Sequence, residues 1–229
     1  MKRTCRYNPS QWTLPDTQAA VYRQFADRDF IEQNGEKFVL SYTAADILFR
    51  RRLVAALRRH LKAKDRVLSV AEGSGHLIRA LKRKGIRQIQ GVDVCRELVA
   101  IGKAKGANLQ YADATRLPFK DNSFDVLIIN ESIGALNLSR TLSEARRVLE
   151  PSGRIMITAY DHIEHRQKEL NSPVIKYRYV LPGTIMKALK KKRYKKITLE
   201  SIPIKPIPEE LARDGHAGDQ VDIISAVKG

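Results

Sequence analysis

Acid is scarce in this chain. Twenty-five Asp and Glu stand against 42 Lys and Arg among 229 residues, a formal net charge of +17, with a pI near 10.0. Cysteine is scarcer: Cys5 and Cys95 stand alone and far apart. They make neither a disulfide framework nor, by themselves, a metal site. Long apolar runs are missing, so no transmembrane helix is expected. The start, MKRTCRYNPSQW, is basic but has no apolar stretch behind it, so a secretory signal is not expected either. The expected setting is the cytoplasm, with peripheral membrane association as a variant. A phosphate loop of the GK[ST] kind is absent, and a dinucleotide fingerprint lacks its third glycine.

The base that is present comes in clusters. Residues 50–66 (RRRLVAALRRHLKAKDR) carry eight Lys/Arg and one acid, and residues 187–196 (KALKKKRYKK) carry seven and none. Such clusters suit RNA, an anionic membrane surface or another anionic partner, and equally a solvated face. Within 42–61, Ile47, Val54, Leu57 and Leu61 fall on one stripe at helical spacing. Arg50 lies within that stripe, either capping a ligand's carboxylate or snorkelling to the surface.

Beyond residue 62, strand and helix patterns alternate. Strands are expected at 66–71, 88–92, 108–111, 124–130 and 154–158, and helices at 76–84, 96–105 and 138–149, the last closed by Pro151-Ser152-Gly153. A helix near 183–192 and strands near 195–202 and 221–227 follow. This order predicts an α/β chain with a doubly wound, Rossmann-like, seven-stranded sheet, mostly parallel and with an antiparallel C-terminal hairpin strand. One domain over 1–229 is expected: an N-terminal helical extension or lid over 1–62, and a core over 63–229. Nothing in the sequence sets an oligomeric state.

In such sheets ligands bind at the carboxyl ends of the strands, where strand order reverses. The stretch VLSVAEGSGHL (67–77) reads as a buried strand, a glycine turn and a helix start. Gly73 and Gly75 let the backbone approach a ligand, but Ile78 stands where a third glycine would allow close helix–strand packing. Asp93, 18 residues past Gly75, ends the second strand, where a carboxylate accepts from ribose hydroxyls or caps a helix. Asp113 follows the third strand, where a carboxylate accepts from an adenine amino group or makes an Asx-turn, and Ala114 leaves room for a ring. Acids at the tips of successive strands point to a nucleoside ligand.

These residues resemble the class I S-adenosylmethionine-dependent methyltransferases, of the methyltransferase type 11 group. RVLSVAEGSGHLIRAL is similar to that family's first motif and IQGVDVCRELVAIGKAK to its second. LQYADATRLPFKDNSFDVLIINESIGAL resembles the adenine-binding segment with the fourth strand, and LSEARRVLEPSGRIMIT the following helix and fifth strand. Within the family, RRRLVAALRRHL and VAEGSG look loosely like the menaquinone and ubiquinone C-methyltransferases. The resemblance implies S-adenosylmethionine as cofactor, S-adenosylhomocysteine as product, and binding residues Glu72, Gly73, Gly75, Asp93, Val94, Asp113, Ala114 and Asn130. It implies methyl transfer to a small or lipid-like, quinone-type acceptor. RNA methylation is the second expectation, and a cofactor-binding protein without catalysis the third.

Two departures stand out. The family usually has an acid at the position of Ser69 and a glycine at that of Ala71. Glu72 either supplies the missing acid or points into solvent. Past the fifth strand, Tyr160 and His162 are weak catalytic candidates in AYDHIEHRQKEL. His162 is either a general base or part of an exposed turn. His162 and His165 lack a third firm ligand for a metal, so none is expected. An Asn/Asp-Pro-Pro-Tyr/Phe motif is absent after Asn130, which weighs against methylation of base amino groups or glutamine amides.

Overall fold

The computed structural model describes residues 51–160, 180–203 and 220–229. Its centre is a seven-stranded sheet: β1 (Val67–Val70), β2 (Ile89–Asp93), β3 (Leu109–Tyr111), β4 (Phe124–Ile129), β5 (Leu149–Tyr160), β6 (Tyr194–Pro203) and β7 (Gln220–Lys228). The order across the sheet is β3-β2-β1-β4-β5-β7-β6. β1 pairs in parallel with β2 and β4, which pair in parallel with β3 and β5. β7 runs antiparallel between β5 and β6. The one reversed strand is therefore the last in the chain, while the edges of the sheet are β3 and β6.

Helices cover both faces, which is why the central strands are continuous apolar runs. Residues 51–59 (α1), His76–Arg83 (α2) and Arg96–Ala104 (α3) lie on one side. Leu53, Val54 and Leu57 of α1 pack there with Leu77, Ile78 and Leu81 of α2 and with Val67, Val126 and Ile128 of the sheet. Leu138–Val148 (α4) and Pro182–Lys191 (α5) cover the other side. Leu142, Ala145, Ile185 and Leu189 pack there against Leu68, Val70, Leu127 and Ile129. No crossover helix links β3 to β4; the chain between them turns at an isolated bridge joining Asp113 and Arg116.

The expected elements are found with shifted ends and one correction. Pro151-Ser152-Gly153 does not close a helix before the fifth strand. β5 already begins at Leu149, which pairs with Phe124, and a register shift follows before Arg154 meets Val126. Ser152, at φ 66, takes up the irregularity inside the strand. Of the helix expected over 42–61, the described residues show 51–59. The proposed lid before residue 51, with Arg50 and Ile47, lies outside them, as does His162.

Below the sheet, at the starting ends of β1, β4 and β5, Arg66 donates to Asp125 (3.0 Å) and Glu150 (2.7 Å). Arg154 donates to the buried Asp65 (2.9 Å) and to the His60 carbonyl (2.7 Å), tying the end of α1 to β5. These contacts clamp the pole opposite the ligand loop.

Candidate functional site

Strand order reverses between β1 and β4, so the crevice for a ligand opens at the tips of those strands. The β1 tip makes one wall. Ala71 leaves the strand at φ 53, and Gly73 and Gly75 follow at φ 63 and φ 75. Their freedoms serve different ends. A methyl on Gly75 would stand 2.4 Å from Ala107 Cβ, so this glycine lets the start of α2 pass close to the connection between α3 and β3. A methyl on Gly73 would meet only Leu98 Cδ1, at 4.0 Å, leaving open space for a ligand to approach the backbone.

Ile78, expected to obstruct helix–strand packing, is fully buried. Room for it comes from the facing strand. Gly91 of β2 has no side chain, and a Cβ there would lie 2.7 Å from Ile78 Cδ1. The close approach is kept, with the glycine moved from the helix to the strand.

Glu72 turns inward. The Ser69 hydroxyl donates to its carboxylate, and the Ile78 N–H donates to Oε1 (3.2 Å). Gly75, at the helix N-cap, offers no side-chain cap, so Glu72 takes over part of that work for α2. Ser69 is fully buried on β1. An acid thus rests on the serine that occupies the family's usual acid position. Burial pushes the Glu72 carboxyl up to about 7, and repulsion from Asp93 adds to the rise.

Asp93 ends β2 and is 8% exposed. Gly73 N–H donates to its Oδ2 (2.7 Å) and Cys95 N–H to its Oδ1 (2.8 Å), so it fixes the glycine turn against the start of α3. Burial raises its pKa. Val94 N–H also hydrogen-bonds to it, which leaves the carboxylate one further acceptor site for a hydroxyl donor. Val94 follows, half-buried. Asp113 lies two residues beyond β3, whose Tyr111 pairs with Asp93. It is exposed and accepts from Thr115 N–H (2.7 Å), the Asx-turn geometry, while Ala114 beside it is buried. Arg96 stacks on the Tyr111 ring at 3.9 Å, bridging the two strand tips.

The β4 tip makes the other wall. Glu131 sits at φ 56, a strained position for a residue with a side chain. Thr158 of β5, buried, accepts from Glu131 N–H (2.8 Å) and donates to Asn130 Oδ1 (3.1 Å). Asn130 Nδ2 donates in turn to the Glu131 carboxylate (3.2 Å). Ser132 Oγ is buried without a partner among the described residues. Glu131 and Thr158 were not expected from the sequence; the signal for Thr158 is a hydroxyl in the otherwise apolar run IMITA.

The site therefore brings Glu72, Gly73, Gly75, Asp93 and Val94 to one wall and Asn130 to the other, with Asp113 and Ala114 at the β3 edge. The backbone of Tyr160 ends β5. Among the described residues no group of three or more His, Cys, Asp or Glu could hold a metal ion. Acids face the crevice of a chain that is otherwise strongly basic, a setting for a cationic ligand.

In fold and in the make-up of this site the chain resembles the class I S-adenosylmethionine-dependent methyltransferases. Residues 68–157 match the "Methyltransferase domain" family Methyltransf_11. A ubiquinone/menaquinone biosynthesis C-methyltransferase of Bdellovibrio bacteriovorus is 38% identical over 112 residues, 44% of this chain and 47% of that protein. The chain spans about half the length of the curated relatives it matches. A solved methyltransferase of Thermotoga maritima, described as a possible histamine N-methyltransferase, has the same fold: TM-score 0.67 at 21% identity, over 85% of this chain and 98% of that one. A phosphoethanolamine N-methyltransferase of Haemonchus contortus, solved with S-adenosylhomocysteine and phosphomonomethylethanolamine, gives a TM-score of 0.60 at 22% identity, over 78% of this chain and 52% of that one.

S-adenosylmethionine is the cofactor of this class, and the residues present fit it. The open face at Gly73, the remaining acceptor site of Asp93 and the inward carboxylate of Glu72 suit a nucleoside joined to an ammonium-bearing chain.

Proposed function

We propose that this chain transfers a methyl group from S-adenosylmethionine to a small, lipid-like acceptor of the quinone type. The observation that supports the reading is the Ser69–Glu72 pair at the β1 tip, which offers an acid for the cofactor's ammonium where the family's usual acid is replaced by serine. The quinone class is supported by the C-methyltransferase relatives, which cover only part of each chain.

S-adenosylmethionine, when bound, supplies an electrophilic methyl on sulfur. The protein's own residues bind, orient and exclude water. Asp93 takes the ribose hydroxyls, and Asp113 with Ala114 borders the base. Glu72 faces the ammonium, and the Asn130–Glu131–Thr158 ring shapes the wall where an acceptor meets the methyl. His162 and Tyr160 remain candidates for moving the acceptor's proton.

RNA is the second acceptor class, favoured by the net charge of +17. Against it, the basic run 190–196 falls at the end of α5 and the start of β6, away from the tips of β1 and β4.

The experiment is an incubation of the full chain with methyl-labelled S-adenosylmethionine and either reduced 1,4-naphthoquinone or bulk RNA. Label in the naphthoquinol supports the proposal. Label in RNA alone replaces the acceptor class, and failure to bind S-adenosylhomocysteine removes the enzyme reading altogether.

A further inference from the structure

We propose that the flank formed by α5 and the edge strand β6 docks on an anionic lipid bilayer. The choice of lipid rests on the lipid-like acceptor proposed above; the surface itself rests on charge and exposure.

From Val180 to Leu199 the chain carries seven Lys/Arg and no acid. Helix α5 buries Ile185 and Leu189 against the sheet. Its opposite face presents Gly183, Thr184, Lys187, Lys190 and Lys191, all exposed. The tight turn into β6 adds Arg193 at φ 60, and the strand opens with exposed Lys195 and Lys196, the latter at φ 49 beside a bulge. Arg146 of α4 reaches the same corner, donating to the Arg193 carbonyl (3.1 Å). The first acid beyond the run, Glu200, pairs with Arg59 and His60 on the far face of the sheet. The positive charge of this flank therefore has no acid beside it in the run.

Apolar groups share the flank. Tyr111, Leu181 and Leu199 are the exposed large hydrophobic residues among those described, and two of the three are here. Leu181 opens α5 and is 53% exposed; Leu199 on β6 is 43% exposed. Leu199 pairs with Ile224, which lies in the core beneath α5, so its side chain projects on the α5 side. Lysines around exposed leucines suit an anionic interface, where the charge attracts and the leucines insert. Nucleic acid fits less well. Tyr194, the aromatic in the run, is 4% exposed, so no ring is offered for base stacking. α5 also runs from the crevice pole at Leu181 to the opposite pole at Lys191. A bilayer lying along it would reach the level of the crevice mouth.

The test is co-sedimentation of the full chain with vesicles of phosphatidylcholine alone, or of phosphatidylcholine mixed with phosphatidylglycerol, at low and physiological salt. The chain is expected on the anionic vesicles only, less so as salt rises. Replacing Lys190, Lys191, Lys195 and Lys196 with Gln should lower partitioning by about a hundredfold or more. Leu181→Ser with Leu199→Ser should lower it by about tenfold while leaving the salt dependence intact. Both variants should bind S-adenosylhomocysteine as the parent does, which also shows that they fold. Equal binding to neutral vesicles overturns the proposal, as does a four-lysine variant that partitions like the parent. So does an RNA duplex that displaces the chain from the vesicles. No acceptor is present in this assay. Loss of docking with naphthoquinol methylation intact sinks the surface alone, and docking without methylation sinks the acceptor class alone.

Discussion

The hydroxyl of Ser69 donates to the carboxylate of Glu72, three residues further along the chain. An acid lost from the strand is thereby regained from the loop. Because Glu72 is half-buried and its pKa is raised to about 7, it is partly protonated at neutral pH in the free protein. A cationic cofactor prefers the ionised form. Affinity for S-adenosylmethionine should therefore rise with pH and level off above about 7, falling by up to about tenfold per unit below that. Calorimetry at low pH in buffers of different ionisation enthalpy should show proton release on binding. Glu72→Gln should flatten the pH dependence.

The same residue sets a stability trend. Its folded pKa lies above its ordinary value of 4.5, so its contribution to stability is full below 4.5 and is lost as pH rises through about 7. Asp125 and Glu144 work the other way. Hydrogen bonds from Arg66 and Arg147 hold them low, so their stabilisation is present above the ordinary carboxylate range and is lost as pH falls. Glu72→Gln should lessen the decline in melting temperature between about pH 4.5 and 7, where Asp93 also contributes, and leave the acid-side decline in place.

Gly91 and Ile78 should behave as a coupled pair. Gly91→Ala sets a methyl 2.7 Å from Ile78 Cδ1 and 3.0 Å from the Ser69 carbonyl oxygen. A loss of about 1–3 kcal/mol is expected in denaturant unfolding, as for other overpacked cores. Adding Ile78→Val should return part of it, a coupling that a double-mutant cycle reads directly.

Asp93 and Asp113 should part company. Asp93→Asn points an amide at the Gly73 or Cys95 N–H and should cost about 1–3 kcal/mol, along with cofactor binding. Asp113→Asn keeps its Asx-turn with Thr115 and should leave unfolding nearly unchanged. A change in cofactor affinity in the second variant would then be read without a folding effect.

Ala71→Gly should stabilise. Ala71 holds φ 53, where a side chain costs about 1–2 kcal/mol, and glycine relieves that at a smaller entropic loss. A higher melting temperature without loss of S-adenosylhomocysteine binding is the expected result.

The sheet was legible because its strands are short apolar runs punctuated by Gly85, Gly106 and the acids at the strand tips. Asp93 was legible for the same reason, standing where a strand pattern stops. What escaped depends on neighbours across the fold. Ile78 reads as an obstruction until Gly91 is seen facing it. Pro151-Ser152-Gly153 carries turn residues, yet pairing between Leu149 and Phe124 draws the segment into β5. The direction of Glu72 is set by Ser69 and Ile78, contacts that no periodicity encodes. Thr158 gains its role only from lying beside Asn130 on the adjacent strand.

The most direct measurement is a crystal structure of the full chain with S-adenosylhomocysteine. The account predicts the amino-acid end of the ligand at the Glu72 carboxylate above Ser69, and ribose hydroxyls on Asp93. A ligand whose ammonium lies beyond hydrogen-bond reach of Glu72, or whose ribose turns away from Asp93, contradicts it.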